Sequence, residues 1–560
     1  MNRLTRKNAV IILLFSLGAF LRLWNLGSLS SGFFRDEAAL GYNAYSIWLT
    51  GKDEFGYIFP IVFRSFEVFF LPLYVYISSP LVGILGLNEF TSRLLSSLSG
   101  MVALYFAYMI GKKVWNKDTG ILCLFTLAIS PWHIFYSRGA FEGNLALTFF
   151  TAGFYYWITF LKTKSGKTFF VSALLFALSM YSYQSERFIV PFFAVLALMI
   201  SFKDLWKLKN KLIAPLIFLF ILLLPLVVLS FNAGGYHRVV GVSIFAKSEN
   251  PPGWIEGQPE TILLNNKLFL RGKQLISLYT SYFSPRNLFF EGDSEKQRSV
   301  ENSSVFYGSF LLFLVVGLLT LAKKANAKEK MLLIFMFLGP IPASLTSDPF
   351  HTYRSLMLFM PLSLIIGKGI FVTYMIVKKF TFASSLQDPF RKRNVLGNIF
   401  LTILVGISAV NLSLFLYSYA VLSQVTRASF WDYGYKDLVS YIEMVRNDKK
   451  VIVDDPSTEA YIHFLFFGKV NPLIYHKEVR DLGELNYYYR DPEEIRPNKI
   501  GNIEFRKINW AEERGDLGTI FVFARNLLPD SEYIGDPNVQ LLKDIYYPDG
   551  TLAFRIVQII

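Results

Sequence analysis

The chain has 560 residues, 53% of them hydrophobic, and a net charge of +14. A soluble chain of this length would divide into about three or four domains and carry more charge. Its basic residues lie in short clusters between apolar segments, not on one face with interleaved aromatics, which argues against a nucleic-acid partner.

Long apolar segments recur from Ala9 to Leu422 and then stop. A helix that spans a bilayer needs about 20 mostly apolar residues. The candidate segments are, in chain order, 9–26, 69–87, 91–111, 119–136, 144–161, 168–183, 188–202, 212–231, 305–322, 331–345, 355–377 and 395–422.

The basic clusters predict the orientation, because Lys and Arg accumulate in cytoplasmic loops. Between the N-terminal cluster and the cluster at 112–117 the number of spanning helices has to be even, so one of the first candidates does not cross. Segment 69–87 is the weakest, since it contains Pro72 and Pro80, and it is predicted as an interfacial or re-entrant helix. About eleven crossings follow, with a cytoplasmic N-terminus.

The composition changes after residue 425 and then resembles that of a soluble protein. Strand patterns at 451–455, 519–524 and 552–559 alternate with helix patterns, which is typical of an α/β domain. The predicted fold is therefore mainly α. It has a polytopic transmembrane domain over 1–425, with interfacial helices in the first outer loop, and a small extracytoplasmic α/β domain over 426–560.

The first outer loop opens with the motif FFRDEAALGYNAYS, at residues 33–46. It places two carboxylates, Asp36 and Glu37, just beyond the first helix. Residues 37–49 suit a short amphipathic helix that lies in the membrane interface. The two acids either begin that helix, where carboxylates offset the helix dipole, or take part in catalysis.

Two further outer loops carry charged residues, which are costly at membrane depth and are functional candidates there. Arg138 and Glu142 could pair with each other; alternatively, Arg138 holds a lipid phosphate and Glu142 faces the same cavity as Asp36. His351 and Arg354 suit an anionic group, because a guanidinium donates two hydrogen bonds to a phosphate. For Arg354 the alternative is snorkelling to lipid headgroups.

Taken in chain order, these motifs resemble the membrane glycosyltransferases of the C-type superfamily, specifically the protein-mannosyltransferase and aminoarabinose-transferase branch. The segments that carry the resemblance are Asp36-Glu37 with Gly41-Tyr42-Asn43-Ala44, Pro72-Leu73-Tyr74, residues 88–94, Ser130-Pro131-Trp132 and residues 137–142.

The resemblance implies a polyprenyl-phosphate sugar as donor. It also implies an essential acid in the first outer loop, at Asp36, and a second acid at Glu142. Relatives usually have a lysine just before the interfacial proline that contacts the donor phosphate. Here Phe70 and Leu71 precede Pro72, so that lysine is absent and the contact is expected from Arg138, Arg354 or His351.

The predicted reaction is an inverting transfer to a hydroxyl of a protein, lipid or glycan on the outer side of the cell membrane, with Asp36 as general base. Glu37 and Glu142 either orient the acceptor or hold a divalent cation, and the sequence shows no metal site. The alternative functions are a transporter or flippase of lipid-linked sugars and a non-catalytic scaffold. A transporter is disfavoured because no internal repeat is evident and the charges lie at the outer face.

Overall fold

The structure is a computed structural model that describes residues 3–29, 31–66, 68–231, 243–245, 250–255, 265–383, 395–457, 459–481, 498–525 and 527–560. Helices dominate up to residue 426. Their bounds are α1 Arg3–Leu23, α2 Arg35–Thr50, α3 Pro72–Leu85, α4 Glu89–Val114, α5 Lys117–Ile129, α6 Pro131–Arg138, α7 Glu142–Thr163, α8 Gly166–Met180, α9 Glu186–Lys207, α10 Lys209–Phe231, α11 Lys267–Ser281, α12 Leu311–Lys323, α13 Ala327–Leu338, α14 Ile341–Ser344, α15 Leu356–Ala383, α16 Val395–Tyr417 and α17 Ser423–Thr426.

A short hairpin between α2 and α3 and the C-terminal region supply the strands. The remaining helices are α18 Tyr435–Val445, α19 Tyr461–Phe467, α20 Pro472–Asp481 and α21 Trp510–Glu513. The strands are β1 Phe63–Ser65, β2 Val68–Phe70, β3 Val451–Asp454, β4 Lys499–Ile500, β5 Ile503–Arg506, β6 Ile520–Ala524, β7 Val539–Tyr546 and β8 Leu552–Ile559.

Several helices are long and apolar enough to cross a membrane. Among the described residues, four meet this condition by length and composition, namely Glu89–Val114, Leu212–Leu229, Tyr353–Lys379 and Val395–Thr426, and the bent pair α5–α6 makes a fifth if it is one span. Only 17% of the Leu212–Leu229 window is buried inside the structure. Its apolar surface therefore faces outward, where lipid would cover it. The predicted number of about eleven crossings stays a prediction.

The predicted segment 119–136 is not one straight helix. It breaks between Ile129 and Pro131 into α5 and α6, which meet at an angle of 59°. Proline has no N–H to continue the helical ladder, so carbonyls of the preceding turn need other donors. The buried guanidinium of Arg22 on α1 donates to Leu127 O at 3.2 Å and to Ala128 O at 3.1 Å. Arg22 thus stabilises the break.

In the segment predicted not to cross, Phe69 and Phe70 belong to strand β2 instead, and the helix, α3, begins at Pro72. Proline suits this first position because the N–H that it lacks would be unpaired there in any case. The helix has 14 residues, so at 1.5 Å per residue it is about 21 Å long, shorter than the roughly 30 Å hydrocarbon core. Its length agrees with an interfacial or re-entrant helix.

The chain divides into two compact units. The first comprises Met1–Trp24 and Ser96–Tyr417, and the second comprises Asn25–Leu95 and Ser418–Ile560. The second unit therefore joins the segment that contains α2 and α3 to the C-terminal region. Within it, α2 packs against α3, α19 and α20. Gly41 on α2 leaves room for this packing, because a Cβ there would lie 2.3 Å from Ser92 Oγ and 2.7 Å from the Phe466 ring.

The C-terminal region forms a six-stranded mixed sheet with strand order β4-β5-β3-β6-β8-β7. Strand β3 pairs in parallel with β5 and β6, while β4–β5, β6–β8 and β7–β8 are antiparallel. Ile452, Phe521 and Val557 lie in its core, with Trp510 packed against them. The α/β prediction is confirmed, and the predicted strands correspond to β3, β6 and β8.

Candidate active site

Asp36 lies in the first turn of α2, where the sequence predicts an interfacial helix. Phe34 is extended and precedes the helix, and Asp36 and Glu37 follow in its first turn, where carboxylates are favoured by the helix dipole. The helix is confirmed, but most of it from Glu37 to Ile47 is buried by protein. Asp36 is half-buried and is therefore within reach of solvent.

Glu37 makes a buried, bidentate ion pair with Arg93, a residue of the 88–94 segment. Arg93 Nε donates to one carboxylate oxygen at 2.8 Å and Nη2 to the other at 2.7 Å, and both side chains are almost fully buried. Glu37 also accepts from Phe34 N–H at 3.3 Å. Arg93 donates further to the carbonyls of Leu26 and Gly32. These contacts favour a supporting role for Glu37 over contact with substrate.

Arg35, on the other side of Asp36, is held by the C-terminal region. Its backbone N–H and Nε donate to Asp432 Oδ2 at 3.0 and 3.1 Å, and its Nη2 donates to Oδ1 at 2.9 Å. It also pairs with Glu459. His463 Nε2 lies 3.5 Å from Asp432 Oδ2. We call Arg35, Asp432, Glu459 and His463 the Arg35 network.

The pKa of Asp432 reflects this network. Burial raises the pKa of this carboxyl, but the hydrogen bonds and charges of His463 and Arg35 outweigh burial and hold the pKa below 3.8. Asp432 is therefore ionised at neutral pH. The roles of Asp432 and Arg35 are not predictable from sequence, because no local pattern links residues this far apart in the chain.

Arg138 and Glu142 lie in the other unit, at consecutive helix ends. Arg138 is only 4% exposed, and its Nη1 donates to Leu21 O at 3.1 Å and to Trp24 O at 2.9 Å. These carbonyls belong to the end of α1 and the turn after it, where intrahelical donors are missing. Glu142 is buried in the first turn of α7. Arg138 thus caps a helix, and its contact with donor phosphate stays a prediction.

His351 and Arg354 converge on one carboxylate, that of Asp348. His351 Nε2 and Arg354 Nη1 both lie 3.7 Å from Asp348 Oδ2, and Arg298 Nη2 lies 3.9 Å from it. The Asp348 side chain is 42% exposed. Arg298, which the sequence analysis did not single out, also pairs with buried Asp293 at 3.0 Å. Two arginines and one histidine therefore lie within 4 Å of the carboxylate of Asp348, which is partly exposed to solvent.

A small pocket lies next to this cluster. Its polar end contains Asp293, Arg298 and Thr352. Thr352 donates both its N–H and its hydroxyl to Asp293, at 2.9 and 2.8 Å. The remaining wall is largely apolar or aromatic and includes Trp132, Phe135, Tyr136, Val300, Val305 and Phe415.

The predicted site residues are thus distributed over both units. Asp36 and Glu37 belong to the second unit, and Arg138, Glu142, His351 and Arg354 belong to the first. Whether Glu142 faces the same cavity as Asp36 stays a prediction. Across the described ranges, no group of three His, Cys, Asp or Glu side chains lies together as metal ligands. A divalent cation held by Glu37 or Glu142 also stays a prediction.

Comparison with known protein families gives a match over part of the chain. Residues 71–231 match the family model of dolichyl-phosphate-mannose-protein mannosyltransferase. The resemblance to C-type membrane glycosyltransferases that the motifs predict is confirmed. No curated protein sequence gives a significant match.

Among solved structures, ArnT from Cupriavidus metallidurans has the same fold. In the apo state it aligns with a TM-score of 0.54 and 10% identity, over 98% of each chain. Bound to undecaprenyl phosphate, it aligns with a TM-score of 0.56 and 10% identity, over 98% of this chain and 97% of ArnT. The apo oligosaccharyltransferase of Archaeoglobus fulgidus aligns less well, with a TM-score of 0.47 and 12% identity over 82% of this chain and 64% of its own.

Proposed function

We propose that this protein is a membrane glycosyltransferase that moves a sugar from a polyprenyl-phosphate donor to a hydroxyl acceptor outside the cytoplasm, with Asp36 as general base. The observation that carries the proposal is the surroundings of Asp36. It is a half-buried carboxylate, and each of its chain neighbours is fixed by an ion pair, Arg35 with Asp432 and Glu37 with Arg93. A general base needs both access to its substrate and a fixed position.

In the proposed reaction the acceptor oxygen attacks the anomeric carbon of the sugar. The bond from that carbon to the phosphate oxygen breaks, and the acceptor proton passes to Asp36. The polyprenyl phosphate leaves with the bonding electron pair, and the configuration at the anomeric carbon is inverted. The acceptor is a hydroxyl of a protein, lipid or glycan, and the sugar is a hexose or a pentose.

The leaving phosphate needs cationic partners, and the usual lysine is missing. Phe70 and Leu71, which stand before Pro72, are buried, so no polar group contacts a phosphate from this position. Arg298 and Arg354 are the candidates, because both lie within 4 Å of the carboxylate of Asp348, an anionic group that is partly exposed to solvent.

The test is sugar transfer by expression-matched membranes. ArnT binds undecaprenyl phosphate, so the donors are labelled undecaprenyl-phosphate mannose and, in parallel, undecaprenyl-phosphate arabinose. We expect the wild type to transfer label from one of them to membrane acceptors. Asp36→Asn keeps size and polarity but removes the base, so transfer should fall about 10²–10⁴-fold.

Two results would count against the proposal. If Asp36→Asn transferred sugar at the wild-type rate, Asp36 would not be the base and the role would move to Glu142. If the wild type moved either donor across sealed vesicles but never released polyprenyl phosphate, the protein would be a transporter of lipid-linked sugars.

A further inference from the structure

The backbone on the N-terminal side of Asp36 is held by a residue from the C-terminal region. Asp432 accepts from the Arg35 backbone N–H as well as from its guanidinium. The N–H contact restrains the Phe34–Arg35 peptide group, one residue before Asp36, which no side-chain pair alone would do. On the other side, Arg93 fixes Glu37. The first turn of α2 is therefore restrained from two directions, and Asp36 lies between them.

Asp432 is itself held in place. Its backbone φ is 50°, in the left-handed region that residues other than glycine rarely adopt. Such backbone conformations persist where surrounding contacts over-determine them, and they are frequent at functional sites. His463 lies 3.5 Å from its carboxylate and is stacked on the Tyr435 ring at a centroid distance of 4.2 Å. His463 is almost fully buried, so it cannot easily move away from Asp432.

We propose that Asp432 is a positioning residue for sugar transfer: through Arg35 it holds the first turn of α2 and, with it, the carboxylate of Asp36. This inference rests on the proposed function, in which Asp36 is the base. It also assigns a role in catalysis to the C-terminal region, because Asp432 fixes the residue that precedes Asp36. His463 keeps Asp432 oriented toward Arg35.

A positioning residue affects kcat per folded molecule, whereas a purely structural residue affects only stability. A general base acts only within hydrogen-bonding distance of the proton that it accepts, and a displacement of about 1 Å can cost on the order of 10²-fold in rate. Loosening Arg35 should therefore lower kcat. It should leave the KM for the donor unchanged, because the residues proposed to bind phosphate are others. If the ion pair served stability alone, kcat per folded molecule would not change.

The experiment uses the full-length protein in lipid nanodiscs and whichever donor, undecaprenyl-phosphate mannose or arabinose, the wild type accepts. In Asp432→Asn the side chain keeps its shape, and asparagine tolerates the left-handed backbone. We expect kcat to fall about 10- to 100-fold, with the donor KM within about twofold of wild type. Arg35→Gln should have a similar effect. The double variant should be no slower than Arg35→Gln alone, because both changes interrupt the same contact.

Asp544→Asn is the matched control. Asp544 pairs with Arg555 in the same sheet-containing unit, at 2.9 Å, and it does not contact the Arg35 network. Its kcat should equal that of the wild type. Glu459→Gln is a second test variant in case Asp432→Asn does not fold, since Glu459 contacts Arg35 from a more exposed position. It should lower kcat by a smaller factor, about 3- to 10-fold.

The inference is overturned if folded Asp432→Asn, or Glu459→Gln in its place, keeps the wild-type kcat. It is equally overturned if the losses of Asp432→Asn and Arg35→Gln multiply in the double variant. These outcomes are distinct from failure of the proposed function, which would appear as full activity in Asp36→Asn. Loss of activity in Asp36→Asn together with full activity in Asp432→Asn would overturn only the positioning role.

Discussion

At the scale of single residues, Asp36 and Glu37 are neighbours in sequence but differ in burial. Glu37 is buried against Arg93, whereas Asp36 is half-buried. Removing one partner of a buried pair leaves the other charge uncompensated, which typically costs about 3–5 kcal/mol. We therefore expect Glu37→Gln to lower the free energy of unfolding by about this amount in purified protein. Asp36→Asn is the control and should unfold like the wild type. Equal stability of both variants would show that the Glu37–Arg93 pair does not stabilise the loop.

His351 makes a prediction about pH. Burial, and then the positive charges of Arg354 and Arg298, lower the pKa of this imidazole well below 6.5, so it is neutral in the folded protein. Below about pH 6.5 the unfolded chain binds a proton that the folded chain does not, so stability falls as the pH falls, by up to about 1.4 kcal/mol per pH unit. His351→Gln should remove this contribution. Thermal unfolding between pH 5 and 8 measures it, and identical pH slopes for the two proteins would contradict it.

At the scale of elements, the loop before α15 carries His351 and Arg354 of the proposed phosphate site, and Arg298 contacts the same loop. Asp348 occupies the position between them as an internal counter-ion. Arg354→Ala should weaken binding of undecaprenyl phosphate by roughly 1.5–3 kcal/mol, because charge-assisted hydrogen bonds are lost. Asp348→Asn should strengthen it, because the phosphate no longer competes with a carboxylate. Binding of undecaprenyl phosphate to the protein in nanodiscs measures both changes. If the two variants changed affinity in the same direction, the phosphate would bind elsewhere.

The elements themselves were largely predictable from sequence. A mostly apolar run after the Pro548-Asp549-Gly550 turn predicts the last strand, which is β8, Leu552–Ile559. The break between α5 and α6 was not predicted. The apolar run 119–136 is continuous, and hydropathy does not indicate a change in the direction of the helix axis. What decides the bend is Pro131 together with Arg22, and the latter contact joins residues about a hundred positions apart.

At the scale of the whole molecule, the predicted orientation can be tested with fusions. A reporter that is active only outside the cytoplasm should be active after Ile560 and inactive at Lys164, because basic loops are retained inside. Activity at Lys164 would mean that segment 69–87 crosses the membrane after all. The fusion after Ile560 is the internal control for expression and export.

The candidate site was predictable only in part. Asp36, His351 and Arg354 stand out because charges beside apolar segments are rare and the motifs that contain them are distinctive. The partners that fix or complete the site do not stand out. Arg35 and Asp432 are 397 residues apart, and Arg298 lies in a polar loop where an arginine carries no signal. Pairs of residues that are far apart in sequence meet through tertiary packing, and a local sequence pattern does not predict them.

The second compact unit takes its residues from both ends of the chain, Asn25–Leu95 and Ser418–Ile560. The ribosome synthesises the first of these segments well before the second. At ordinary rates of synthesis the interval between them is on the order of tens of seconds. During that interval Arg35 has no Asp432 to bind, because that residue has not yet been made. The loop that carries Asp36 is thus assembled only when translation is nearly complete. Under the proposed function, a nascent chain that stalls before Asp432 would lack this contact and transfer sugar slowly, so it would consume little of the donor lipid.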